Sequence, residues 1–159
     1  MSKPERYALL LAQMKGLLEG ESDRTANLAN AAALIHGSFD FWWTGFYLVK
    51  GEELVLGPFQ GPIACTRIPY GKGVCGTAWA RRETVVVPDV HLFPGHIACD
   101  AASESEIVVP LKTGGRLVGV LDIDSPKKHT FGEDDRAGLE RFAEILSSAL
   151  PGDFPASLL

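Results

Sequence analysis

Glu106-Ile-Val-Val-Pro-Leu-Lys-Thr-Gly-Gly-Arg-Leu-Val-Gly-Val-Leu-Asp-Ile-Asp124 is the stretch that decides the fold. Two apolar, β-rich runs, Glu106 to Leu111 and Arg116 to Ile123, flank Thr113-Gly114-Gly115. Glycines at such a junction enter the positive-φ conformations of a tight hairpin turn without steric cost, so the stretch reads as two antiparallel strands. Side chains alternate across a strand. Leu121 and Ile123 therefore share one face, and Asp122 and Asp124 the other. By the same parity Glu106 lies opposite Ile107 and Val109.

Working outward, the same period of two recurs from Trp43 to Val49 and from Glu53 to Gly57, with Lys50-Gly51 as the turn between them. Shorter strand-like runs cover Ile63 to Ile68 and Thr84 to Val87, which makes six strands. Helical spacing appears from Pro4 to Leu18, from Asp23 to His36 and from Glu133 to Leu150, where Glu133, Asp134 and Asp135 suit an N-terminal helix dipole. Helices, then strands, then a closing helix predict an α+β domain with a mostly antiparallel sheet rather than a βαβ repeat. The expected organisation is N-terminal helices over residues 1–40 integral to the domain, a core over 41–150 and a tail over 151–159.

The chain of 159 residues is 46% apolar, enough for one sizeable core and too short for two ordinary domains. Its formal net charge is -5 and it has no Lys/Arg-rich run, so neither nucleic acid nor an anionic membrane is an expected partner. The N-terminus lacks the features of a signal peptide, and no run approaches the 18 or so apolar residues of a spanning helix. A cytoplasmic location, with thiols kept mostly reduced, is the expectation.

Three cysteines, Cys65, Cys75 and Cys99, fall at irregular spacing that matches no disulfide framework or zinc ribbon. Any one of them alone would read first as a small core hydrophobe. Cys99 has the most reactive setting, inside the polar segment Pro88 to Ser103, expected to mix loop with short helix, and three residues after His96. An imidazolium there would favour a thiolate, whereas Asp100, Glu104 and Glu106 would oppose it.

The acids supply a second clue. Asp122, Asp124 and Glu106 are costly on a covered sheet face unless they bind a cation or hold a proton, and a pocket built from them would suit an ammonium group. Trp43 and Tyr47, four apart, share a strand face and can join that pocket. The plainer alternative is a solvated carboxylate face with core aromatics beneath it. The glycine-rich Tyr70-Gly-Lys-Gly-Val-Cys-Gly-Thr-Ala-Trp79 lacks the Lys-Ser/Thr ending of a phosphate loop. It reads instead as a turn entering a short helix, whose N-terminal amides can receive a substrate carboxylate. No metal site is expected, and His36, His91 and His129 read as structural or surface residues.

Four segments carry a family resemblance: Gly71-Lys-Gly-Val-Cys-Gly-Thr-Ala-Trp79, Val87-Pro-Asp-Val-His-Leu-Phe-Pro-Gly-His-Ile-Ala-Cys-Asp100, Ser105-Glu-Ile-Val-Val-Pro110 and Leu121-Asp-Ile-Asp-Ser-Pro126. In these the chain resembles the free methionine-(R)-sulfoxide reductases, small enzymes built on a single GAF domain. The resemblance implies a thiol redox enzyme in which Cys99 is the nucleophile and Cys65, or Cys75, the resolving thiol, with Cys65 favoured. It implies that Glu106, Asp122 and Asp124 hold the substrate's ammonium and sulfoxide, that Trp43 and Tyr47 pack its methyl end, and that Glu106 or Asp124 protonates the sulfoxide oxygen.

It further implies free methionine-(R)-sulfoxide as substrate, no bound cofactor and recycling of a Cys disulfide by a thioredoxin-like protein. A homodimer is in keeping with the N-terminal helix and with family habit. The competing expectation is a non-catalytic GAF sensor of small ligands or a thiol redox switch, since fold alone does not decide function.

Overall fold

The computed structural model describes residues 1–97 and 101–150. Two helices open the chain, α1 (Lys3–Leu18) and α2 (Arg24–Ser38). Ser2 caps α1 by accepting a hydrogen bond from the Glu5 amide, and Glu5 returns the contact to the Ser2 amide, satisfying two donors that a bare helix end would orphan. Asp23 caps α2 by accepting from the Ala26 amide at 2.8 Å.

Six strands follow: β1 (Trp43–Lys50), β2 (Glu53–Gln60), β3 (Arg67–Pro69), β4 (Val85–Val87), β5 (Ser105–Thr113) and β6 (Arg116–Ser125). They form one sheet in the order β3-β2-β1-β6-β5-β4, and every pairing is antiparallel. Helix α3 (Gly73–Arg81) lies between β3 and β4, and α4 (Glu133–Ser148) closes the fold. The predicted α+β class and six-stranded antiparallel sheet are therefore the observed ones. The tail over 151–159 lies outside the described residues.

The two sheet faces are covered differently. Helices α1, α2 and α4 pack on one face, where Phe46, Ile107, Val109, Leu121 and Ile123 meet Leu10, Met14, Leu28, Leu139, Phe142 and Leu146. The closeness of α1 to α4 depends on a missing side chain, because a Cβ at Gly138 would lie 2.3 Å from the Tyr7 ring. The Tyr7 hydroxyl then donates to Asp135 at 2.8 Å, and Lys3 reaches the other oxygen of that buried carboxylate at 2.6 Å. The opposite face carries Trp43, Tyr47, Val108 and Val120, covered by Val74, Cys75 and Ala78 of α3 and by connecting loops.

One predicted strand is shorter than its sequence suggests. Residues 63–68 alternate as a strand would, yet only Arg67–Pro69 joins the sheet. The indole of Trp43 donates to the Pro62 carbonyl at 3.0 Å and the Tyr47 hydroxyl to the Cys65 carbonyl at 2.8 Å. These bonds draw the segment across the sheet face and away from its edge. Among the described residues of the segment after Pro88 lies one short 3₁₀ turn, Val90–Leu92, capped by Asp89.

Candidate active site

The site grows from strand parity and register. Trp43 and Tyr47 project from β1, Asp122 and Asp124 from β6 and Glu106 from β5, all toward the face covered by α3. In the ladder Asp124 pairs with Trp43 on one side and with Glu106 on the other, while Asp122 stands opposite Gly45 and Val108. The space that a side chain at Gly45 would need is taken by the Trp43 ring, 2.5 Å from where its Cβ would lie, so the glycine admits the indole to this face.

Five residues singled out from sequence, Trp43, Tyr47, Glu106, Asp122 and Asp124, therefore line one pocket. Trp43 stacks on Phe59 with centroids 5.2 Å apart and on Tyr47 at 5.9 Å, which makes an aromatic wall beside the acids.

Helix α3 forms another wall. Gly73, at φ +61, starts it and brings Val74 and Cys75 to the pocket, with Ile97 packed within 3.0 Å of where a Gly73 side chain would begin. The glycine-rich motif is thus a positive-φ turn into a helix, as its composition predicted.

The electrostatics follow from burial of like charges. Glu106 is pushed up to about 8, first by desolvation and then by the nearby Asp124. Burial likewise raises Asp122, with Glu106 adding to the effect, and its Oδ1 has no hydrogen-bond partner. Asp124 accepts from the Ser103 hydroxyl at 3.0 Å. The His96 ring stands 3.7 Å from Glu106, and burial lowers its pKa, so it faces the acid as a neutral ring near neutral pH.

The three cysteines separate. Cys75 is a free thiol buried in the pocket wall, and desolvation, together with the charges of Asp122 and Glu106, pushes its pKa well up. Cys65 is half-buried in the segment held by Trp43 and Tyr47, and is disulfide-bonded. Cys99 lies outside the described residues. The described residues nearest it on either side that line the pocket are Ile97 and Ser103.

The pocket also contains residues that sequence reasoning did not assign to it. Trp42 and Ile63 stand at the edge, and Ser103, His96 and Ile97 come from the polar segment before β5. The signal for this last group was the length and polarity of that segment, with His96 singled out only as the neighbour of Cys99; nothing in the sequence indicated Trp42 or Ile63.

Comparisons with known proteins place the chain in a family. The GAF domain family model matches residues 23–150. A free methionine-R-sulfoxide reductase of Escherichia coli is 50% identical over 151 residues, covering 94% of this chain and 92% of that protein. A free methionine-R-sulfoxide reductase of Saccharomyces cerevisiae is 42% identical, covering 94% and 88%. The crystal structure of the Neisseria meningitidis free methionine-R-sulfoxide reductase in complex with its substrate superposes with a TM-score of 0.92 at 51% identity, covering 94% of this chain and 90% of that one. The chain belongs to the GAF domain family and, within it, to the family of the free methionine-R-sulfoxide reductases.

Proposed function

We propose that this protein reduces free methionine-(R)-sulfoxide to methionine. The observation that carries the proposal is the convergence of Glu106, Asp122 and Asp124 beside the Trp43–Tyr47 wall in one small pocket. Such a pocket offers carboxylates to an ammonium group, an apolar wall to a thioether methyl and a neutral acid to a sulfoxide oxygen. A sulfoxide oxygen needs protonation before its bond to sulfur can break, and a carboxylic acid still protonated at neutral pH supplies that proton. Glu106, pushed up to about 8, fits the role better than the alternative Asp124.

Cys99 is the proposed nucleophile. Its thiolate attacks the sulfoxide sulfur, oxygen passes to the cysteine as a sulfenic acid, and methionine leaves. A second thiol then displaces water from the sulfenic acid to form a disulfide. Cys65 is the proposed resolving residue, supported by its disulfide-bonded state. Cys75 is disfavoured because burial beside two acids keeps its thiol protonated and poorly nucleophilic. An external dithiol of the thioredoxin type closes the cycle by exchange.

The test is a coupled assay with thioredoxin, thioredoxin reductase and NADPH, offering free methionine-(R)-sulfoxide, its (S) epimer and a peptide-bound sulfoxide in parallel. NADPH consumption with the free (R) form, well above that with the other two, is expected. No turnover of the free (R) form overturns the reading.

A further inference from the structure

The proposed mechanism leaves one nucleophilic group in the pocket without a task, the thiol of Cys75. Its sulfur, a carboxylate oxygen of Glu106 and a carboxylate oxygen of Asp122 all lie within 4.8 Å of one another. The three residues are 3%, 6% and 6% exposed, so the cluster is held by packing rather than by chance encounter of mobile surface groups. They come from three separately anchored elements, α3, β5 and β6.

A second observation points to a ligand at the same place. Oδ1 of Asp122 is buried without a hydrogen-bond partner, and the residue lines the pocket. An unsatisfied buried carboxylate oxygen is costly, and a cation removes the cost.

We propose that Cys75, Glu106 and Asp122 form a binding site for a borderline-soft divalent cation of the zinc type. The donor set chooses the class: a thiolate selects against magnesium and calcium, whereas one sulfur with two carboxylates suits zinc or cobalt. Bonds of about 2.0–2.3 Å at tetrahedral angles place one sulfur and two oxygens roughly 3.3–3.5 Å apart, so the cluster needs to close by about 1.5 Å at most. The pocket side remains open for a water as fourth ligand.

Ligation displaces the proton from the thiol and from the carboxyl groups, because the cation supplies the positive charge that burial denies them. The consequence for catalysis rests on the reductase reading. A cation here takes the proton of Glu106 and occupies the ammonium seat, so cation and substrate exclude one another, and the cation acts as a reversible inhibitor.

The binding test needs no turnover. Fully reduced protein is titrated with cobalt(II), and a near-ultraviolet sulfur-to-cobalt charge-transfer band saturating at one equivalent is expected. Zinc should displace it. The band should vanish in Cys75→Ser, whose fold is checked by circular dichroism, and persist in the Cys65→Ser/Cys99→Ser double variant. Zinc affinity, read by competition with a chromophoric chelator, should fall at least about 10-fold in Asp122→Asn. Absence of the band, or its survival in Cys75→Ser, overturns the site.

In the coupled assay zinc should inhibit competitively with free methionine-(R)-sulfoxide, and a chelator should restore the rate. Binding without inhibition overturns the exclusion. A cobalt band in a protein that turns over no sulfoxide leaves the site standing and sinks the reductase reading instead.

Discussion

Glu106 and Asp124 face each other directly across the β5–β6 ladder, on the sheet face covered by α3. Two carboxyl groups in that relation, taken out of water, cannot both ionise cheaply, so one of them keeps its proton. Asp124 accepts from the Ser103 hydroxyl, and Glu106, desolvated by burial and set beside Asp124, is pushed up to about 8.

The first prediction concerns that proton. Glu106→Gln keeps the shape of the side chain but cannot donate to the sulfoxide oxygen, and kcat should fall about 10²–10⁴-fold with a much smaller change in KM. In the wild type the acid form is required and is lost as pH rises through about 8, so the rate should decline on the alkaline side. Steady-state kinetics from pH 6 to 9 check both. A wild-type rate that keeps climbing up to pH 9 removes Glu106 as the acid.

The same shift affects stability. Glu106 titrates near 4.5 when unfolded and near 8 when folded. Between those values the native state holds a proton that the unfolded chain has released, so stability is fully present below about 4.5 and declines as pH rises toward 8. The upward shift of Asp122 acts in the same direction. Urea denaturation should show this fall, and Glu106→Gln should flatten it.

Asp122→Asn tests binding of the ammonium group. Loss of one charge-assisted bond of about 1.5–3 kcal/mol corresponds to roughly a 10–150-fold rise in KM. Titration calorimetry with free methionine should show a parallel loss of affinity. Equal affinities for the two proteins would move the ammonium seat elsewhere.

The thiol roles separate in a single-turnover experiment. Cys99→Ser should release no methionine; without reductant Cys65→Ser and Cys75→Ser should each release roughly one equivalent, and with thioredoxin Cys65→Ser should stay stalled while Cys75→Ser continues past one. Methionine is quantified by chromatography without external reductant and then with thioredoxin. A stall in Cys75→Ser but not in Cys65→Ser exchanges their roles.

A prediction about packing lies far from the pocket. Gly138→Ala places a methyl 2.3 Å from the Tyr7 ring, and the α1–α4 contact must open to admit it. Overpacking of this kind costs about 1–3 kcal/mol, seen as a lower urea midpoint at unchanged slope. Turnover below the unfolding range should stay close to that of the wild type.

The sequence by itself determined which side chains share a face. Alternation is a local property of a strand, so Asp122 with Asp124, and Trp43 with Tyr47, could be paired from spacing alone, and the Gly-Gly turn between β5 and β6 was legible for the same reason. The start of α4 was legible from Glu133, Asp134 and Asp135, the acids of its first turn.

Register between strands distant in sequence is not local; it is set when the sheet assembles. The order β3-β2-β1-β6-β5-β4 sets β1 beside β6, 73 residues apart from Trp43 to Arg116, and so puts Trp43 opposite Asp124 and Asp124 opposite Glu106. The shortening of the strand after Pro62 arose the same way, because its competitors were hydrogen bonds from Trp43 and Tyr47 on another element. Burial of Cys75 against two acids also required α3 to be laid on the sheet. Charge and proton affinity in this pocket depend on how far buried groups lie from one another, a distance that exists only after the chain has folded.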